Sequence, residues 1–334
     1  MDPVRALEQV AFELERAGEP GYRVRAFRKA AQVVAEVPAD KLAQLVRMGT
    51  LTKLPGVGKS TAAVVEDAVN GRPIAYLEKV QQPDLSGGSA LRALLRGDCH
   101  THSDWSDGGS PVDVMARAAR DLGHEWVALT DHSPRLTVAN GLSPDRLRQQ
   151  LDLVDSLNVE LAPFRILTGI EVDILLDGGL DQTADLLDRL DVVVASVHSK
   201  LRMPAAEMTP RLLAAVANPH VTVLGHCTGR LVTGRGRPES EFDAEAVFTA
   251  CREHNVAVEI NSRPERLDPP RRLLRQAVEL GCLFAIDTDA HAPGQLTWQP
   301  LGCARAEQCG VTADRVVNTW PADELLAWAQ GRST

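Results

Sequence analysis

No stretch of the 334-residue chain approaches the roughly 18 consecutive apolar residues that a membrane span needs, so a helical membrane protein is excluded. The opening MDPVRALEQVAFELERAGEP lacks the basic start, apolar centre and small-residue cleavage site of a secretory signal. It reads as an amphipathic helix, and a cytoplasmic address is expected. Cysteine is scarce and unpaired: Cys99, Cys227, Cys251, Cys282, Cys303 and Cys309 form no C-x-x-C, which argues against a disulfide framework and for buried reduced thiols. Cys99 and Cys227 neighbour histidines, but neither is expected to bind metal. No G-x-S-x-G or similar nucleophile motif is present, so a serine or cysteine mechanism is disfavoured. GVGKS is not a nucleotide P-loop, because Lys53 stands where G-x-x-x-x-G-K-[ST] requires glycine. Basic excess is lacking too. The net charge of −9 argues against a surface coated for nucleic acid. Residues 1–80 hold 12 Lys and Arg against 10 Asp and Glu, so the acidity belongs to the rest of the chain. An acidic remainder suits a domain that gathers cations, and a polyanionic substrate would have to be held there by a few basic residues or by metals.

What is present has ordinary globular composition, 44% hydrophobic and 24% charged. Residues 1–80 carry helical periodicity in ALEQVAFELERA, YRVRAFRKAAQVVAEV and DKLAQLVRMG. The Pro/Gly/Ser-rich QQPDLSGGSA marks a linker over 81–94. From 95 to 334, short β-branched runs alternate with amphipathic stretches, the pattern of strand–helix units around a mainly parallel sheet. Seven runs qualify: LLRGDCHTH, WVALTDH, RILTGIEVDI, DVVVASVH, VTVLGHC, VAVEINS and LFAIDTDAH. Nearly all end in His, Asp, Glu or Asn. In a parallel barrel the carboxyl ends of the strands share one rim, whereas an open sheet spreads them along a line. So many potential ligands favour closure into a ring.

The candidate ligands follow from those ends. In Asp98-Cys99-His100-Thr101-His102, alternate residues of an extended segment share a face, so both imidazoles can address one cation. Asp107 can return from the following loop, and His132, Glu171, His198, His226, Asp289 and His291 end later runs. Six of nine histidines lie at such ends, while His124, His220 and His254 are expected to be surface residues. Burying so many imidazoles without compensation would cost roughly 1–3 kcal/mol each, and a shared cation removes that difficulty. Asp98 and Asp131 are expected either to orient ligands from behind or to cap strand-end turns. Lys200, Arg230 and Arg263 sit just beyond strand ends, where they could clamp phosphate oxygens, and Asn261 is a further candidate for substrate contact.

Taken together, DCHTHSDWSDG, LTDHS, GIEVD, SVHSK, LGHCTGR, EINSRPERLD and DTDAH resemble the polymerase and histidinol phosphatase (PHP) family over roughly residues 95 to 325, in particular the PHP domain that follows X-family DNA polymerases in bacteria. The resemblance implies a distorted seven-stranded α/β barrel and a trinuclear centre. One divalent ion would be held by His100, His102, Glu171 and Asp289, a second by Glu171, His198 and His226, and a third by Asp107, His132 and His291. Zinc, manganese and iron all suit this donor set. Glu171, Asp289 and His291 are the expected catalytic residues of a phosphoester hydrolase.

In the N-terminal part, LTKLPGVGKSTAAVVEDAVNG places a Pro-Gly-x-Gly turn between helices and resembles a helix-hairpin-helix motif. That implies contact with the DNA backbone through Gly56, Gly58 and Lys59, with Arg23, Arg25, Arg28 and Lys29 adding attraction. A lyase would need a lysine where Val64 stands, and no polymerase domain separates the two modules, so neither activity is expected. The leading reading is a DNA-processing phosphoesterase. The alternatives are a small-molecule phosphomonoesterase of histidinol-phosphatase type and a non-enzymatic DNA-binding accessory protein. Oligomeric state is not legible.

Overall fold

The computed structural model describes residues 1–331 and divides into two compact units, Met1–Asp84 with Ala292–Gln295, and the remaining described residues from Leu85 onward. The first unit is all helical: α1 (Pro3–Arg16), α2 (Gly21–Ala35), α3 (Ala39–Arg47) and α4 (Lys59–Val69). Helix α1 starts where Asp2 accepts a hydrogen bond from the Arg5 amide at 3.0 Å and Pro3 supplies a pre-set first turn. Its Ala6, Leu7, Val10, Ala11 and Leu14 form a buried stripe in a core shared with Phe27, Ala31 and Val65.

The second unit opens with α5 (Ser89–Arg92) and then alternates strands and helices: β1 (Gly97–Thr101), α6 (Val112–Asp121), β2 (Trp126–Leu129), α7 (Pro144–Leu161), β3 (Arg165–Asp173), α8 (Ala184–Leu187), β4 (Val192–Ser196), α9 (Ala205–Val216), β5 (Val223–Leu224), α10 (Ala244–Glu253), β6 (Ala257–Asn261), α11 (Arg271–Glu279) and β7 (Phe284–Asp287), with α12 (Gln299–Gln308) and α13 (Ala322–Gln330) closing it. Leu91 and Leu95 are buried in its core. All seven strands pair in parallel in chain order, and a bridge between Thr101 and Ala290, with the His102 amide donating to the Ala290 carbonyl at 2.8 Å, brings the last strand's exit back to the first. The result is a nearly closed barrel, as expected from the run of His-, Asp- and Glu-bearing strand ends. Among the described residues no helix is long and apolar enough to cross a membrane.

Strand alternation sorts the side chains. Trp126, Ala128, Leu167, Val192, Val194, Val223, Ala257 and Ala285 fill the interior of the ring. Their neighbours Val127, Ile166, Ile170, Val193, Val258 and Ile286 pack outward under the helices. Gly97 is obligatory here, because a Cβ would lie 2.2 Å from the Trp126 indole. Beyond this apolar plug the same inward positions carry Glu171 and Glu259, so the interior changes from dry to ionisable toward one rim.

His124 departs from expectation. It is buried, not on the surface, with Nε2 3.0 Å from an Arg92 guanidinium nitrogen. Burial, aided by Arg92, pushes its pKa down to about 3. The neutral ring therefore contributes stability above the unfolded value near 6.5, which is lost as pH falls toward 3. In metal-free protein, the wild type is expected to lose up to about 1.4 kcal/mol per pH unit relative to His124→Gln below pH 6. Urea midpoints measured across pH 7 to 4 check this, and parallel curves would refute it.

Candidate metal centre

Each candidate ligand reaches the rim on its own strand or on the loop just after it. On β1, the register with β2 slips by one residue between Asp98 and Thr101, a bulge that leaves Cys99 inside the ring and turns His100 inward as well. His102 follows on the same side. The centre of the cluster is Glu171, fully buried at an inward position of β3. Its Oε1 lies 2.8 Å from His226 Nε2 and 3.1 Å from His198 Nε2. Its Oε2 lies 2.9 Å from His132 Nδ1, 3.3 Å from His100 Nε2 and 3.5 Å from His102 Nε2. One carboxylate thus faces five imidazoles, two on one oxygen and three on the other.

Asp289 and Asp107 complete the arrangement. Asp289 Oδ1 is 3.5 Å from both His102 Nε2 and His291 Nδ1, and its backbone is held at φ +52°. Asp107 Oδ1 is 3.3 Å from His291 Nε2 and 3.5 Å from His132 Nε2. The nine expected residues are therefore brought together. Among the described residues three groups have donor atoms close enough to share an ion: His102, Asp107, His132 and His291; His100, His102 and Glu171; and His132, Glu171 and His198. Glu171 joins two of these groups, as in the expected sets, and so do His102 and His132, which were each expected in one; His226 and Asp289 fall outside all three.

The electrostatics test whether cations fit. Glu171 oxygens lie 3.1 Å from His198 Nε2 and 3.3 Å from His100 Nε2. Even so, His100 Nε2, both nitrogens of His102 and both of His198 are buried without an aligned hydrogen bond, a cost proteins rarely leave uncompensated. Although burial opposes it, Glu171 and Glu259 raise the His100 pKa well above the usual range, and Glu171 takes His198 up to about 9 against the same penalty. Burial and the neighbouring His291 and His132 push His102 well down. Desolvation would raise Glu171 and Asp289, yet the imidazoles hold the first, and Arg263 with His100 the second, well below the ordinary carboxylate range. Protons alone leave adjacent imidazoles with opposed preferences. Divalent ions accepting their lone pairs satisfy the whole set, so the residues fit a metal centre.

Residues 1–72 match the helix-hairpin-helix domain model and residues 98–263 match the PHP domain model. The DNA polymerase/3'-5' exonuclease PolX of Bacillus subtilis is 42% identical over 234 residues, which are 70% of this chain and 41% of that protein. The chain carries a PHP domain. A probable phosphatase of Thermoanaerobacter sp. is 28% identical over 233 residues, covering 66% of this chain and 89% of that one. A solved histidinol phosphate phosphatase from Lactococcus lactis, complexed with zinc, L-histidinol and phosphate, aligns at 20% identity with a TM-score of 0.49 over 65% of this chain and 94% of that one.

The PHP centre opens into a cleft of about 330 Å³, whose walls include Asp107, His132, Glu171, His198, Asp289 and His291. The four expected substrate contacts fare differently. Arg263 lines the cleft, with its guanidinium 3.1 Å from His291 Nδ1 and 3.3 Å from Asp289 Oδ1. Asn261 is fully buried, donating to Asp289 Oδ2 and Glu259 Oε2, so it braces the cluster without reaching the cleft. Arg230 donates to the Arg266 and Leu267 carbonyls, and Lys200 is exposed; neither lines the cleft.

Sequence reading missed Arg266, a cleft residue whose Nε is 3.1 Å from Asp289 Oδ2. It also missed Asp173, whose Oδ1 is 3.4 Å from His198 Nδ1, and Glu259. Their only local signal was a place in strand-end motifs already noted for other residues. Asp98 and Asp131 tie their strand ends to other elements of the barrel. Asp98 accepts from the His100 amide and from Thr288, and Asp131 from Ser103, Ser106 and Gln150. All six cysteines are buried free thiols outside the metal-capable groups.

In the helix-hairpin-helix unit, the Val57 amide closes a turn on the Leu54 carbonyl with Gly56 at φ +89° after Pro55, a conformation that favours glycine. Gly58 precedes α4, and Gly56, Gly58 and Lys59 are exposed there. Arg23 pairs with Glu19 and Arg28 with Glu15, while Arg25 and Lys29 face solvent. Val64 is fully buried.

Proposed function

We propose that this protein is a metal-dependent phosphoester hydrolase that acts on DNA ends, with His100, His102, Asp107, His132, Glu171, His198, His226, Asp289 and His291 holding three divalent ions. The observation that carries the reading is the division of the Glu171 carboxylate between two sets of imidazoles, a position suited to a ligand shared by neighbouring ions. Bound cations supply Lewis acidity at the phosphate and an acidified water, and no protein nucleophile is then needed. The chain's own residues position the ester. Asp289 and His291 form the cleft side of the cluster, and Arg263 and Arg266 present cationic groups beside them for nonbridging oxygens. Leu136, Val138 and Leu231 offer an apolar wall to the non-reacting part of the substrate.

The exposed Gly56-Val57-Gly58-Lys59 turn at the start of α4 supports the DNA reading, since backbone amides and a lysine there suit a phosphate diester. The acidity of the rest of the chain, together with Asp107 and Glu265 in the cleft, favours a second reading, a small cationic phosphomonoester such as histidinol phosphate. Metal-dependent turnover of a 3′-labelled oligonucleotide and of histidinol phosphate by the full chain separates the two. The DNA end is expected to be preferred, with activity abolished by His100→Ala. DNA binding is expected to weaken with salt, with a slope reduced by about 1 in Lys59→Glu. Turnover of histidinol phosphate alone would transfer the assignment to the second reading, and turnover of neither would end both.

A further inference from the structure

The structure contains a carboxylate that touches the cluster without facing the cleft. Glu259 sits at an inward position of β6, beneath the proposed ligands, with its side chain wholly buried. Its Oε1 is 2.6 Å from His100 Nδ1. Its Oε2 accepts the backbone amide of His226 at 2.5 Å and the Asn261 side-chain amide at 3.3 Å. Asn261 in turn donates to Asp289 Oδ2 at 3.2 Å. One side chain therefore reaches β1, the exit of β5 and, through Asn261, the exit of β7.

We propose that Glu259 is a positioning residue that fixes the ring orientation and tautomer of His100 and the backbone that presents His226, so that both can bind metal. The chemistry is specific to a carboxylate. Two partners of Oε2 are N–H groups, which makes that oxygen an acceptor. An acceptor at Oε1 draws the His100 proton to Nδ1, and Nε2, the nitrogen that faces Glu171, is left with its lone pair for a cation. Glutamine cannot reproduce this. Its amide has one acceptor, so either His226 N–H or His100 Nδ1–H meets an NH₂ group. Glu259 acts through its neighbour, since it reaches His100 at Nδ1, the ring nitrogen opposite the one that faces Glu171.

The inference rests on the metal reading above, and zinc binding to the full chain tests the two separately. Chelator competition is expected to show Glu259→Gln holding its tightest zinc about 10–100-fold more weakly than wild type, while the melting temperature of the zinc-free variant stays within a few degrees of the wild-type value. Wild-type and variant affinities that coincide would overturn the proposal and leave the metal reading intact. Wild type that binds no zinc, manganese or iron would remove the metal reading itself. A loss of affinity matched by an equal collapse of the zinc-free fold would assign Glu259 a structural role and also overturn the proposal. Should the glutamine variant fail to fold, Glu259→Asp, which keeps the charge but shortens the reach, is read by the same criteria.

Discussion

Glu171→Gln is expected to lower phosphoester turnover by about 10⁴-fold, the scale on which a residue acting as part of a catalytic unit is lost. The reason is geometric. Both carboxylate oxygens lie against imidazoles, Oε1 against His198 and His226 and Oε2 against His100, His102 and His132. Glutamine keeps the volume, but it turns one of those oxygens into an NH₂ donor and removes the negative charge that all five rings share. Either orientation of the amide spoils one side of the cluster. Metal content per chain should fall together with activity, since the same oxygen atoms are proposed to serve neighbouring ions. Elemental analysis and kcat/KM on the preferred ester measure both. Turnover within tenfold of wild type at full metal content would show that Glu171 is not a shared ligand.

Stripping the metals from wild-type protein should abolish turnover and lower the melting temperature by about 5–10 °C, with both restored when zinc or manganese is added back. An ion present at a hundred times its dissociation constant stabilises the folded state by about 2.7 kcal/mol, and for a domain of this size each kcal/mol moves the midpoint by about 2–4 °C. The structural basis is the set of buried imidazole nitrogens on His100, His102 and His198 that have no aligned hydrogen bond, together with the opposed protonation preferences of His100 and His102. Removal of cations returns these costs to the fold. Calorimetry with and without chelator decides the matter, and superimposable transitions would count against a resident metal centre.

The residues of the proposed ligand shell were legible because all but Asp107 stand at or just past the end of an apolar run, and the barrel follows from seven such runs separated by amphipathic stretches. The same logic failed where a side chain's environment depends on a partner distant in sequence. His124 lies in an approach to β2 that reads as surface, yet Arg92 and the core enclose it. Arg230 and Lys200 follow strand ends as Arg263 does, but only Arg263 and the overlooked Arg266 face the cleft. Position after a strand says which rim a residue belongs to. It does not say which way a loop turns.

By itself the sequence determined the parallel strand–helix repeat, the set of imidazoles and carboxylates at its strand ends, and a helical N-terminal part with a helix-hairpin-helix turn, read over residues 1–80. These are encoded locally, in side-chain periodicity and in what terminates each run. Tertiary structure alone decided that Glu171 faces five rings, that a bulge in β1 turns His100 inward, and that Glu259 on β6 reaches it across the ring. Those relations depend on strand register and on closure between the first and last strands. Register follows from the packing of all seven strands together, and no single segment carries it.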